Sequence, residues 1–475
     1  MGLLIGLDIG TTKICAVALD ASNGQLTAVE DTLNDTQLSS QPDAAEQDAQ
    51  GIIDKSHGLL SRLLQRPELK GQEILAVGVT GQMHGVVIAD RAGKPITPLV
   101  TWQDGRGAKP YKSTSHSYAE ELANRLGEDA LAASGCRPAT GYGAVTLLQM
   151  SEEGNIPNNG KALTIHDLLV QSLCGSIVTD PTDAASWGIF DVRDGSRWLL
   201  EAQSVLKLPE GMLPEVIPTG SIAGQITAEA ELATGLQMGI PIAVAFGDNQ
   251  ASFLGSVPSL RESLLMNLGT GGQMSVPTNH FNRAQGLDTR PLVKGQWLLV
   301  GASLCGGRAY QILESFFASI GQDLFGILYK AALYDLMNKL AAHADDDCGG
   351  LAASTLFEGT RVDPARRGCI GNIDSKNFTV ANLTRAVIIG MVEELAAFYE
   401  VARQAGAAPK YLAGSGNAIR RNAVVRQEIE KRVGMPLQMP PHPEEAAVGA
   451  ALAGGVAAGV YCDWNAAGNT LYPWQ

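Results

Sequence analysis

Leu3-Leu4-Ile5-Gly6-Leu7-Asp8-Ile9-Gly10-Thr11-Thr12-Lys13-Ile14-Cys15-Ala16-Val17-Ala18-Leu19 is the stretch on which the fold turns. An apolar run reaches Asp8, turns through Gly10-Thr11-Thr12 and comes back as an alternating run. That is the pattern of two strands joined by a tight turn. Gly10 lets backbone approach a ligand closely. Thr11 and Thr12 offer hydroxyls and N–H donors to phosphate oxygens. Asp8, at the strand end, is placed to hold Mg2+ directly or through water. Outward from this hairpin, Ser22-Asn23-Gly24 signals a turn into a third strand over 26–33. A helix over 44–64 follows, with Ile52, Leu59, Leu60, Leu63 and Leu64 broadly on one face. A continuous apolar strand over 74–80 ends at Gly81-Gln82-Met83-His84-Gly85. In open α/β sheets ligands bind at that C-terminal edge.

The plan restarts halfway along the chain. A strand over 242–246 runs into Gly247-Asp248-Asn249. Another over 263–268 turns at Asn267-Leu268-Gly269-Thr270-Gly271-Gly272 into a strand over 273–276. The Gly-Thr turn is thus repeated without the acid. A lone hairpin of this kind reads as an ordinary β-turn, but a matched pair, each opening its own half, can clamp a polyphosphate without many lysines. Helices are expected over 383–404, 418–433 and 444–458, with a short strand over 411–413 turning at Gly414-Ser415-Gly416. These features predict two α/β domains with a boundary near 239–247.

Composition narrows the partners. The 475 residues allow two to four domains at roughly 100–200 residues each. Charged residues are 18%, below the usual ~25%, and the 54 glycines exceed the usual ~7%. This describes a well-buried protein with many tight turns. The net charge of −14 argues against nucleic-acid and anionic-membrane partners. An acidic chain that handles an anion must hold it with backbone N–H groups and a metal ion. Seven scattered cysteines without a C-x-x-C pair argue against a disulfide framework or zinc site and point to a reducing, cytoplasmic setting. The first residues lack a basic n-region, and Asp8 interrupts their apolar run, so they do not read as a signal peptide. The Ala- and Gly-rich stretch 446–461 is too short to span a bilayer and reads as a tightly packed helix.

Taken together, the motifs resemble the FGGY family of carbohydrate kinases, within the actin-like ATPase superfamily, nearly from end to end. Asp8–Thr12 resembles its first phosphate motif, Asn267–Gly272 its second and Gly414-Ser415-Gly416-Asn417 its adenosine motif. Phe357–Arg361 with Asp363-Pro364 and Arg367-Gly368 is similar to its G-E-R…D-P…R-G stretch, and 444–452 to its closing helix. The resemblance implies an α/β fold of two ribonuclease H-like domains around a cleft. It implies an N-terminal sugar-binding and first-phosphate domain over 1–245 and a C-terminal nucleotide domain over 246–475. It also implies ATP and Mg2+, a small ketose as acceptor, and a monomer or homodimer. Gly10, Thr11, Thr12, Lys13, Gly269, Thr270, Gly271, Gly414, Ser415, Gly416 and Asn417 would contact nucleotide, and Asp8 the metal. Asp248 would be the general base. By itself Gly247-Asp248-Asn249 is more simply a turn or helix N-cap, and its place among the other motifs favours the base.

Gly81–Gly85 resembles the ketose-binding loop of xylulokinases and sedoheptulokinases, and Thr101–Arg106 their W-x-D-x-R segment. Gln103, Thr164–Asp167, Asp183–Gly188 and Ala302-Ser303-Leu304 before Gly306-Gly307 favour the seven-carbon ketose over xylulose. The resemblance puts Gln82, His84, Asp104 and Asn249 on sugar hydroxyls, over an apolar floor of Met83 and Trp102. Read structurally, His84 is a satisfied core histidine, Trp102 a core residue, and Asp167 and Asp183 hold loops. Asp345-Asp346-Asp347 reads as a solvated loop. Two positions depart from the family pattern. Cys15 stands where a Lys or Arg is common, and Lys13, on the same strand face, is placed to reach the same phosphate. Gln149 stands where the family has Trp on a helix. An actin-like ATPase acting on other proteins and a non-catalytic sugar sensor are the readings of another class.

Overall fold

A computed structural model describes residues 2–38, 42–328, 333–360, 363 and 365–472. Arg361 and Pro364 of the expected family stretch lie outside the described residues. The first strand, Gly2–Ile9, pairs antiparallel with Lys13–Asp20, which pairs antiparallel with Leu26–Leu33. On its other side Gly2–Ile9 runs parallel to Glu73–Gly81. Pro241–Ala243 and Phe246–Gly247 both pair parallel with Glu73–Gly81, and Ile222–Gln225 closes the edge. The expected strand over 242–246 is therefore two short pieces. Leu3, Ile5, Leu7 and Ile9 pack on the helix Ala49–Leu64, while Leu4 faces a second core with Ala447 and Ala451. Burial on both faces explains the unbroken apolar run. The helix starts at Ala49 rather than 44, because Glu46–Gln47 pairs with Leu99–Val100.

The second sheet has the same plan. Ser263–Leu268 pairs antiparallel with Gly272–Thr278, which pairs antiparallel with Trp297–Ser303. Ser263–Leu268 runs parallel to Tyr411–Ser415, and that strand parallel to Leu437–Gln438. Asp8 pairs with Thr80, and Asn267 holds the matching position opposite Ser415. The two Gly-Thr turns are thus the same turn in two sheets. The helix expected over 418–433 breaks into Asn417–Arg421 and Ala423–Val433, because the Asn422 side chain caps the second piece.

Between the sheets lie two helices, Asp248–Ser256 and Glu445–Ala457. Ala447 and Ala451 of the latter face the first sheet; Ala450 and Ala453 join Leu265 and Ala413 of the second. A third core, built on the helices Tyr118–Ala133 and Gly143–Glu152, forms a lobe beside the first sheet. No helix among the described residues is long and apolar enough to cross a membrane.

Candidate active site

The first hairpin is closed by the Gly10 N–H donating to the Lys13 carbonyl at 2.9 Å, and a Cβ on Gly10 would sit 2.8 Å from that oxygen. Thr12 is exposed at the tip. Thr11 is tied inward: its hydroxyl donates to Gln82 Oε1 at 3.1 Å and accepts from Trp102 Nε1 at 2.9 Å. Gln82 also donates to Gln47 Oε1 at 2.8 Å and is 2% exposed. The expected phosphate turn and the expected sugar loop are therefore one hydrogen-bonded unit. Trp102 is 46% exposed, so its indole is an open face rather than core. Lys13 does not point into open space: its ammonium pairs with both oxygens of Glu444, at 3.1 and 2.9 Å.

Asp8 and Asp248 belong to one electrostatic neighbourhood. Burial, then the charges of Asp248 and Glu444, raise the Asp8 carboxyl to about 8, and its Oδ1 is buried without a hydrogen-bond partner. Burial raises Asp248 to about 6, with nearby His166 pulling the other way. A small divalent cation fits this pair: it would partner the orphaned oxygen and cancel the like-charge repulsion. Among the described residues no three His, Cys, Asp or Glu side chains form a cage.

Asp248 is the first residue of its helix, directly after Gly247, which packs on Met83: a Cβ on Gly247 would lie 2.6 Å from the Met83 thioether. Met83, at 5% exposure, is thus a buried support beneath the Asp248 turn. Asn249 follows Asp248, half-buried on the same turn. His84 sits at φ +73°, a costly conformation for a non-glycine residue that surrounding contacts must hold. Its N–H donates to Ser186 Oγ at 3.2 Å, its Nδ1 lies 2.6 Å from the Ser186 carbonyl, and its ring stacks on Tyr142 at 4.4 Å. Asp104 is 3% exposed, and its oxygens accept from the Ala45 N–H, the Arg106 N–H and the Arg106 guanidinium. Its observed partners are loop and arginine, which differs from the sugar contact expected of it.

The second hairpin leaves Thr270 and Gly271 exposed. The helix Gly306–Phe325 begins against it: Gly307 N–H donates to the Gly269 carbonyl at 2.9 Å and Arg308 N–H to the Thr270 carbonyl at 3.0 Å. Only glycine fits at 307, since a Cβ there would meet the Gly269 carbonyl at 2.4 Å. A cavity of about 560 Å³ opens beside Gly269, Thr270 and Asn417. Gly416, at φ +86°, makes the turn into it and lies against the Leu268 carbonyl. Gly414 and Ser415, expected in that turn, are the buried end of the strand; Ser415 is 0% exposed. The opposite wall was not expected: Tyr310 and Asn422 both donate to Asn338 Oδ1 at 2.8 Å. Tyr310, Asn338 and Asn422 themselves belong to no motif in the sequence.

Residues 3–255 match the N-terminal domain of the FGGY family of carbohydrate kinases, and residues 264–458 match its C-terminal domain. This chain belongs to the FGGY family of carbohydrate kinases. It is 29% identical to sedoheptulokinase of Homo sapiens over 492 residues, covering 95% of this chain and 96% of that one. The crystal structure of xylulose kinase from Rhodospirillum rubrum superposes with a TM-score of 0.86 at 24% identity, covering 98% of this chain and 92% of that one. Plasmodium falciparum glycerol kinase with ADP gives a TM-score of 0.82 at 17% identity, over 99% and 92% of the two chains. These two share the two-domain actin-like, ribonuclease H-like fold.

Proposed function

We propose that this protein transfers the γ-phosphoryl group of ATP to the terminal hydroxyl of sedoheptulose, giving sedoheptulose 7-phosphate and ADP. The observation that carries the kinase reading is the half-buried, electrostatically linked pair of Asp8 and Asp248 at the joint of the hairpin and the Gln82–His84 loop. The choice of ketose rests on the likeness to human sedoheptulokinase along nearly the whole chain.

Phosphoryl transfer needs an aligned acceptor hydroxyl, a partner for its proton and neutralised phosphate charge. Asp248, held near 6, is mostly ionised at neutral pH yet basic enough to accept that proton. The exposed Trp102 face and the polar edge of His84 orient the sugar. Backbone of Gly10, Thr12, Thr270 and Gly271, at the tips of the two matching turns, carries the phosphates. Adenosine occupies the cavity between Asn417 and Asn338. Mg2+ at Asp8 would supply charge neutralisation on the transferred group. Lys13, paired with Glu444, holds the hairpin to the closing helix rather than the phosphate.

The purified enzyme, given ATP and Mg2+ with a panel of ketoses and glycerol, is expected to favour sedoheptulose in kcat/KM. Preference for xylulose or glycerol would replace the acceptor and leave the kinase reading standing. ATP hydrolysis indifferent to every sugar would favour an ATPase that acts on other proteins.

A further inference from the structure

The segment Phe246–Gly247 that presents Asp248 is held by hydroxyls rather than by a long strand. Thr80 Oγ1 donates to the Phe246 carbonyl at 2.6 Å, and the Gly247 N–H donates to Thr182 Oγ1 at 2.8 Å. The Thr182 hydroxyl in turn donates to Asp180 Oδ1 at 2.7 Å. That carboxylate is fixed from three more directions: it accepts the Thr182 and Asp183 N–H groups at 2.9 Å each, and the Thr219 hydroxyl at 2.6 Å. Thr182 and Asp180 are both 0% exposed. Thr182 lies in the first turn of the short helix Pro181–Ser186, whose last residue holds His84 by backbone and ring. One rigid turn, six residues long, therefore grips the base-bearing segment at one end and the sugar loop at the other.

We propose that Thr182 is a positioning residue: through Gly247 it sets the placement of Asp248 relative to the acceptor held beside His84. The inference rests on the assignment of Asp248 as base. A hydroxyl is required because it must accept from Gly247 while donating to Asp180; valine has the shape and neither function. A displacement of about 1 Å at a reacting group is enough to cost ~10²-fold in rate.

The test compares Thr182→Val, Thr182→Ser and Asp248→Asn in the full chain with ATP, Mg2+ and the preferred ketose. Thr182→Val is expected to lose about 10- to 100-fold in kcat, with KM for ATP within about twofold. Thr182→Ser is expected to recover most of that loss. Hydrogen exchange at the Gly247 amide reads the bond itself and needs no acceptor sugar: exchange should quicken in the valine variant and return in the serine one. A kcat near wild type in Thr182→Val, or a loss that serine does not restore, overturns the positioning role. Unchanged Gly247 exchange overturns the contact. If Asp248→Asn keeps turnover, it is the base assignment that fails, and the positioning role falls with it.

Discussion

At the scale of single residues, the site is governed by two carboxylates in one poorly solvated space. Burial raises both carboxyls, Asp248 to about 6 and Asp8 to about 8, and at Asp8 the nearby charge of Asp248 adds to the rise. Asp248→Asn removes the proposed proton acceptor while easing the repulsion at Asp8. It should lower kcat by ~10²–10⁴-fold and leave thermal unfolding unimpaired, as a melt monitored by circular dichroism would check. A fall in melting temperature parallel to the loss of rate would assign Asp248 to folding instead. Asp8→Asn removes the orphaned oxygen's charge. Calorimetry should then find ATP binding that no longer responds to Mg2+, whereas wild type binds ATP weakly without the ion. Both acids were legible in the sequence because each breaks an apolar run within two residues of a glycine. The inward commitments of Asp104 and Ser415 were not, because burial of a polar atom depends on residues far away in the chain.

At the scale of elements, the decisive contact is backbone on backbone. A Cβ on Gly6 would lie 1.9 Å from the Ala447 carbonyl, and one on Gly78 would lie 1.8 Å from that of Ala450. Gly255 and Gly449 allow the same approach between the helices Asp248–Ser256 and Glu445–Ala457, at 2.0 Å from Glu445 and Ala251 carbonyls. No rotamer relieves a clash with a carbonyl, so one methyl must push the closing helix away from the sheet. Gly6→Ala should cost about 2 kcal/mol or more, at the upper part of the range for overpacked cores, in denaturant unfolding. Gly58→Ala in the helix Ala49–Leu64 meets nothing nearer than 3.9 Å and should instead stabilise by ~0.5–1 kcal/mol. Equal effects at the two glycines would show that the close approach is not what holds the helix. The strands and the closing helix were legible because each keeps one simple period or a run buried on both faces. The break at Asn422 and the start at Ala49 were not, since a capping side chain and a two-residue pairing leave no periodic trace.

At the scale of the molecule, acidity is distributed in two ways that act oppositely. Most of the excess charge is solvated, which fits the proposed holding of phosphate by backbone and cation. A minority is buried behind the site: Asp167, Asp180 and Asp183 with His166, all nearly inaccessible. Burial, then Asp183, raises Asp167 to about 8; the same causes raise Asp180 to about 7. Each is near 3.8 when unfolded. Between pH 4 and 8 the native state thus binds more protons than the unfolded chain, so stability must fall as pH rises through that window. The contribution is complete below about pH 4 and lost above about 8 for Asp167. Asp167 also caps its own helix, accepting the Thr164 N–H through Oδ2, while Oδ1 has no partner. Asparagine keeps an acceptor for that cap and cannot ionise. Asp167→Asn should therefore unfold with a shallower pH slope than wild type, the gap widening by about 1–3 kcal/mol from pH 6 to pH 8 at up to ~1.4 kcal/mol per unit. Asp180 and Asp183 remain to titrate, so the slope should shrink without vanishing. Parallel curves for the two proteins would mean that Asp167 is ionised in the fold at neutral pH, and that Thr164, Thr179 and His166 stabilise its charge more than burial opposes it.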